Sequence, residues 1–456
     1  MFEIINAQSK LNLASNEFTL ILMEMNDTGL KSVIWQSKVS FLAAAGITTF
    51  NKQILEWIGY YNIKRETSFI YRADLFVEGQ DIIYLVNESA GFSDPSRQIE
   101  IGVISENKDR AQQILMKYVK HFETSLKRKV DGRRVRHMNL AWYKSTENDL
   151  VDTHVSYYKS FSYPSINEAD SQAATNLNNP EARAVLRKIS EQDLSKNLEI
   201  KGEHKEAVLK TIEKLISWGL VIPKILISCR KNAAAIAVIQ SREEITGPNA
   251  VGVSCPHCGR KFSEELIKES YMISDLGKKM TRGSHWMTIL LTNTLISSGI
   301  PEKSIIWNLT EDSEEVDCVV QFKDQVWIFE LKDRNFDSGD AHPLTYRAIK
   351  FKASKIIVFT TGKVTKEARN VFKDMSRNSR MERSSDIPTY IEGLPLLQTA
   401  IDTLVKNETI IQVSKKAKDI SLLAGMDFSP IFSTILGAYN VELEDGRKEN
   451  INIFRS

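Results

Sequence analysis

The sequence predicts a multidomain α/β protein, on three observations. At 456 residues the chain exceeds what one hydrophobic core ordinarily organises, so two to four domains are expected. Strand and helix periodicities follow one another near both ends, with a strand–helix–strand succession toward the C-terminus. A polar, aperiodic stretch at 163–180, YPSINEADSQAATNLNNP, lies between them and is a linker by composition.

A content of 42% hydrophobic and 26% charged residues is that of a soluble globular protein. The net charge of +2 does not by itself announce a nucleic-acid binder. Charge is uneven, however. Between Tyr346 and Arg380 ten Lys or Arg face only Glu367 and Asp374, and a second basic cluster runs from Lys127 to Arg136. Either is a solvated face unless something beside it needs a polyanion. The start, MFEIINAQSK, has no basic-then-apolar pattern, so no secretory signal is expected, and no run approaches a membrane span. Four cysteines make no disulfide framework, and thiols kept for metal fit a reducing cytoplasm.

Residues 1–162 read as an α/β domain serving recognition, regulation or oligomerisation. A helical pattern near Ser32–Ala45 stops at Gly46, strands FIYRADLFV, DIIYLV and QIEIGVIS follow, and DRAQQILMKYVKHFETSLKRK is an amphipathic helix. Asp74, Asn87 and Ser89 are spaced 13 and 15 residues apart, as are Asp317, Glu330 and Lys332 further on. This is either a degenerate copy of one fold or two hairpins of equal length.

Residues 181–228 read as three short helices running into a strand. EARAVLRKI is the first, Ser190-Glu-Gln-Asp193 opens the second as a capping box, and Gly219 closes the third. This order resembles a winged helix, a fold that contacts DNA or serves as a spacer. Residues 229–272 resemble a zinc ribbon. Cys255-Pro-His-Cys258-Gly259 is one knuckle, in which two thiolates sit on a tight turn that glycine lets close. Upstream, Cys229-Arg-Lys-Asn232 has the same spacing with Asn in place of the second Cys. Three thiolates (Cys229, Cys255, Cys258) with His257 or another histidine would hold Zn²⁺, and a metal-free ribbon held by packing stays open.

Residues 280–456 form the last predicted domain. A helix over 283–298 ends at Gly299 and Pro301, the strand SIIWNL follows, and VDCVVQFKDQVWIFELK then reads as a hairpin turning at 323–325. A helix from Asp340, the buried strand KIIVFTT and a final helix complete an α-β-β-β-α-β-α order, whose βαβ unit makes the last two strands parallel. Hairpin arithmetic places Asp317 opposite Glu330, and Glu330 and Lys332 share a face.

Asp317, then an apolar strand ending Glu330-Leu-Lys332, then a helix and a strand resembles the PD-(D/E)XK, or restriction-endonuclease-like, nuclease superfamily over roughly 280–380. The resemblance implies an αβββαβ core and a Mg²⁺- or Mn²⁺-dependent nuclease. Cleaving a phosphodiester needs a neutralised phosphate and an activated water. Asp317, Glu330 and the backbone carbonyl of Leu331 would hold Mg²⁺, and Lys332 would orient or deprotonate the water or stabilise charge. The first helix has no carboxylate, so a third would come from Glu315 or Glu314, and His285 is the other polar group there. Arg347, Lys350, Lys352 and Lys355 would hold the phosphate backbone. DNA is the expected partner, with RNA open, and prokaryotic defence or mobile-element processing, as a homo-oligomer or with partner subunits, is the setting by analogy. The bland alternative is a surface salt bridge between Glu330 and Lys332. A different class, a nucleic-acid-binding or regulatory protein on an inactivated nuclease fold, is the runner-up.

Overall fold

A computed structural model describes residues 3–11, 13, 15–30, 32–33, 73–89, 97–130, 142–144, 160–191, 205–246, 253–312, 314–323, 325–378, 388–424 and 432. The predicted helix at 32–45 beyond residue 33, the basic residues 133–136 and the predicted short helix after residue 191 lie outside them. The protein is mixed α/β, with three sheets among the described residues, in two compact units: Met1–Glu147 with Asp402–Ser456, and Asn148–Ile401. Among the described residues no helix is long and apolar enough to cross a membrane.

The first unit holds β1 (Glu3–Lys10), α1 (Ser15–Asp27), β2 (Ala73–Glu78), β3 (Asp81–Ser89), β4 (Arg97–Ser105), α2 (Lys108–Lys129) and β5 (Tyr143–Lys144). Its sheet runs β2-β3-β4-β1-β5 with every pairing antiparallel. α2 starts where the Asn107 side chain accepts the Arg110 N–H, and it buries Ile114, Leu115, Tyr118, Phe122 and Leu126 on one side. These pack with Phe76, Ile83, Leu85 and Ile101. Alternate sheet residues, Leu75, Ile82, Tyr84 and Val86, form a second core with Val413, Ala417 and Ile420. That burial explains why residues beyond 401 belong here and not, as predicted, to the last domain. The spacing shared by Asp74, Asn87 and Ser89 does not carry over into register: Asp74 pairs with Leu85, not Asn87.

The second unit begins earlier than predicted. β6 (Ser160–Ser162) pairs with β10, so it leaves the N-terminal domain. The proposed linker is also structured. Asn167 and Asp170 form a reciprocal capping box for α3 (Glu168–Asn176), which buries Ala173 and Ala174. Asn179 then caps α4 (Pro180–Ser190), with Pro180 in its first turn. The polar residues that suggested a loop are helix caps. Ser190 belongs to the end of α4, its hydroxyl donating to the Arg187 carbonyl. α5 (Lys205–Ser217) closes as expected at Gly219, whose φ is +71°. β7 (Val221–Ser228), β8 (Ala235–Ile239) and β9 (Leu266–Ile273) form a small antiparallel sheet in the order β8-β7-β9.

After α6 (Asp275–Thr281) come α7 (His285–Ser297), β10 (Ile305–Glu311), β11 (Glu314–Phe322), β12 (Gln325–Lys332), α8 (Ser338–Lys350), β13 (Lys355–Thr360), α9 (Lys366–Asn378) and β14 (Thr389–Glu392). The predicted order is present, and the sheet runs β14-β13-β12-β11-β10-β6. β11 and β12 are antiparallel, whereas β12 and β13 are parallel. Trp327 through Leu331 are all buried, as a central strand covered on both faces requires.

One buried ion pair fixes the first unit. Glu100, 8% exposed, accepts from Tyr84 Oη at 2.7 Å, Asn6 Nδ2 at 2.9 Å and Lys416 Nζ at 2.8 Å. Burial works to raise its pKa, but Lys416 and the hydrogen bonds prevail and hold it below the ordinary value. Its stabilisation is therefore present above the unfolded pKa, near 4.5, and lost as pH falls through the lower folded value. Lys416→Met should cost about 3 kcal/mol, because it strands the carboxylate. Thermal unfolding followed by circular dichroism checks this, with the gap to wild type narrowing in acid.

Candidate active site and metal centre

The hairpin turns between Phe322 and Gln325, which pair, with Lys323 at φ +58°. From there the register runs back to Cys318↔Phe329, and one further step sets Asp317 against Glu330 as predicted. Asp317 is half-buried, and its Oδ2 accepts the Leu331 backbone N–H at 2.7 Å. Glu330 is only 3% exposed. Lys332 Nζ lies 2.8 Å from its Oε1, and Arg347 on α8 places a guanidinium nitrogen 3.1 Å from its Oε2. Glu330 and Lys332 do pair, but the carboxylate is buried, so this is not the solvated surface bridge of the bland alternative.

Several predicted residues stand elsewhere. Arg347 does not face outward for phosphate: it bridges Glu330 and Glu314, its Nε 2.8 Å from Glu314 Oε2. Lys350 is tied to the Glu311 carbonyl at 3.0 Å and to Asp312 at 3.2 Å. Lys355 lies over the Trp327 ring, and Lys352 is exposed at φ +50°. Glu315 is exposed, and among the described residues no group of three acids with ligand atoms close together includes it, Asp317 and Glu330. His285 packs edge-on against Trp307 rather than turning to the carboxylates. Sequence reasoning missed Asp340, whose Oδ1 is 3.9 Å from Lys332 Nζ and 2.7 Å from Arg334. Its capping-box partner Asp337 was the available signal.

The electrostatics follow from two carboxylates sharing a half-dry site. Burial first, and the Glu330 charge second, push Asp317 up to about 7. Burial alone would lower Lys332, but Glu330, Asp317 and Asp340 outweigh it and hold the ammonium above its ordinary value. Lys332 in this arrangement is therefore a cation, not a base. The raised Asp317 pKa makes its ionised form a cost to the fold, one that grows as pH rises from about 4 and is complete above about 7. Asp317→Asn should melt with wild type below about pH 4 and several degrees above it at pH 8, measured by differential scanning fluorimetry.

The second constellation lies at one end of the small sheet. Cys229, directly after β7, donates its N–H to the Ala234 carbonyl at 2.8 Å and accepts from Ala233 N–H at 2.7 Å. Cys255 donates to Arg260 at 2.7 Å and accepts from Gly259 at 2.8 Å. The two loops thus share one bonding pattern, with Ala233 (φ +57°) standing where Gly259 (φ +76°) stands. Asn232 occupies the place of Cys258 and instead accepts the Ala234 N–H. The fourth corner is Glu265, just before β9. The ligand atoms of Cys229, Cys255, Cys258 and Glu265 all lie within 4.8 Å of one another, a group able to hold a metal ion. His257 is exposed and outside the group, which corrects the expected histidine: Glu265, just before β9, takes the fourth corner. Cys318 is buried in the other sheet. The Cys258 thiol is pushed up to about 12, first by the hydrogen bond it gives Glu265. Bulk analysis of Zn²⁺ should find one equivalent per chain, lost in Cys255→Ser and weakened in Glu265→Ala, with His257→Ala unchanged.

No protein-family model matches the chain, and no curated protein is significantly similar to it.

Proposed function

We propose that the protein is a Mg²⁺- or Mn²⁺-dependent nuclease acting on DNA, built on a PD-(D/E)XK core. The observation that carries this reading is the juxtaposition of Asp317, Glu330 and Lys332 at the open ends of β11 and β12, beside a parallel β12–β13 pair. The donor set suits a hard cation. Asp317 offers the oxygen not given to Leu331, Glu330 offers carboxylate oxygens, and the Leu331 carbonyl follows Glu330 directly in the chain. Bound there, Mg²⁺ would neutralise the phosphate and acidify a coordinated water.

The chain's own residues do the remaining work. Lys332, held as an ammonium, would orient the attacking water and balance charge on the phosphorane-like transition state. Arg347 sets the Glu330 carboxylate and, with Glu314, fixes α8 against the strands. Metal entry at Glu330 requires one of its two cations to give way, and Arg347 can retain Glu314 when it does. The outward cations Lys352, Lys363, Lys366 and Lys373 supply the surface for the backbone, in place of Arg347 and Lys350. The small sheet's cysteine–glutamate group is read as a structural Zn²⁺ site, and the α4–α5–β7 segment as winged-helix-like. A cytoplasmic role in antiviral defence or mobile-element processing is read by analogy of fold alone.

The inactive-fold reading has two observations behind it: both Glu330 oxygens are ion-paired, and no acidic residue occurs on α7. Incubation of labelled duplex and single-stranded DNA and RNA with Mg²⁺ or Mn²⁺ separates the two. Wild type should cleave DNA, with Glu330→Ala and Lys332→Ala slower by about 10²-fold or more. Equal behaviour of wild type and Glu330→Ala on every substrate would end the nuclease reading.

A further inference from the structure

Behind the catalytic strand end lies a cavity of about 270 Å³ that none of the roles above uses. It is formed by α4, the α6–α7 junction and Asp333, the residue after Lys332. Its size sits just below the lower end of ordinary ligand pockets, roughly 300 Å³, enough for a small charged group.

Its lining is cationic. Arg183, Arg187 and Arg282 face Asp333 and Glu191. Arg183 and Arg187 share the single Asp333 carboxylate, at 3.2 and 2.9 Å. Arg183 is also held flat over Trp286, its guanidinium carbon 5.0 Å from the ring, and donates to the Leu177 carbonyl at 2.7 Å. Burial pulls Arg183 below its ordinary value, with Asp333 opposing and Arg187 adding to the pull. Arg282 is exposed and makes no side-chain ion pair or hydrogen bond among the described residues. Three guanidiniums against the carboxylates of Asp333 and Glu191, with Arg282 unpaired, leave the cavity with positive charge in excess.

The backbone points the same way. Gly283 and Ser284 both adopt left-handed φ of 56°, turning the chain sharply into α7. Ser284 is the N-cap but gives no side-chain hydrogen bond to the first turn, and both Ser284 and Trp286 line the cavity. A helix start without a side-chain cap, beside the unpaired Arg282, presents a favourable dipole to an oxyanion.

We propose that this cavity is a phosphate-binding site, taking a phosphoryl group from a nucleic-acid backbone or from a free nucleotide. Planar, forked Arg donors match phosphate oxygens in pairs, and Arg187 and Arg282 can turn to them while Arg183 stays fixed by Trp286 and Leu177. Asp333 follows β12 directly, which places the cavity one residue beyond Lys332. The site does not rest on the nuclease reading, because its donors are none of the residues assigned to cleavage.

Isothermal titration of the full chain with inorganic phosphate, adenosine monophosphate and a single-stranded oligonucleotide tests it. Wild type should bind at least one probe, and Arg187→Gln/Arg282→Glu should weaken that binding by about tenfold or more, the loss of a charged hydrogen bond. Arg282→Glu alone disturbs no pair and should weaken it too, so misfolding cannot mimic the result. Variant-sensitive binding of phosphate or the mononucleotide assigns the site to free nucleotides, whereas variant-sensitive binding of the oligonucleotide alone assigns it to the backbone. Equal binding by wild type and both Arg variants, or none by wild type, would overturn the proposal.

Discussion

A carboxylate buried at the end of a central strand is the constraint around which the larger sheet is arranged. Glu330 is 3% exposed at the end of a run, Trp327–Leu331, closed to water on both faces. An uncompensated charge there would cost several kcal/mol. The chain supplies compensation from two directions. Lys332 comes from the same strand two residues on, and Arg347 comes from α8, whose capping box at Asp337 and Asp340 fixes where that helix begins. α8 is thus held by charge at one point and by Ala341, Leu344 and Ala348 along its apolar side. The same arrangement crowds Asp317 against Glu330 and leaves its proton loosely held near neutrality. The structural solution to the burial of Glu330 and the raised pKa of Asp317 are thus one feature.

The small sheet solves a comparable problem with different chemistry. Its three strands bury few large side chains, chiefly Ile227, Ile239 and Ile245 with partly buried neighbours. A core of that size is weak by itself, and cross-linking at one end is the usual remedy. Here the two loops that converge are near copies in backbone hydrogen bonding, and the group lost from the first, at Asn232, is made up by Glu265 from a third segment. Basic neighbours, Arg230, Lys231, Arg260 and Lys261, stand around a cluster rich in anionic ligands. The Arg230 N–H also donates to Glu265, which holds the carboxylate toward the thiols.

Much of the last region was legible because its signals are local. The hairpin register, the partnership of Asp317 with Glu330, and the parallel strand follow from period-two spacing and from the handedness of strand–helix–strand units. What was not legible depended on distance in sequence. Arg347 counted as one basic residue among ten, and only the fold shows it turned inward to Glu330 and Glu314. Glu265 sits seven residues beyond Cys258, outside any knuckle spacing, and carboxylate ligands leave no motif. The stretch at 163–180 misled because Asn and Asp serve turns and helix caps alike, and composition does not distinguish them. Identity of the core as a nuclease is a reading of the site, whereas its element order is a property of the fold.

The short strand β6 has a consequence for how the chain acquires its structure. Ser160 and Ser162 pair with Thr310 and Trp307 on β10, and the Ser162 hydroxyl meets the Trp307 carbonyl across a separation of 145 residues. Such a contact carries a large loop-closure entropy and forms late. During synthesis from the N-terminus β6 therefore waits, unpaired, while the helices, the small sheet and β10 are made. Until it docks, β10 is an open edge of backbone donors and acceptors available to any other extended chain. A fragment cut at residue 280 would keep every element of the αβββαβ order and yet retain that edge permanently. The autonomous folding unit is thus longer than the motif by the whole of the intervening segment, and recombination that respects the motif's borders would separate strands that belong to one sheet.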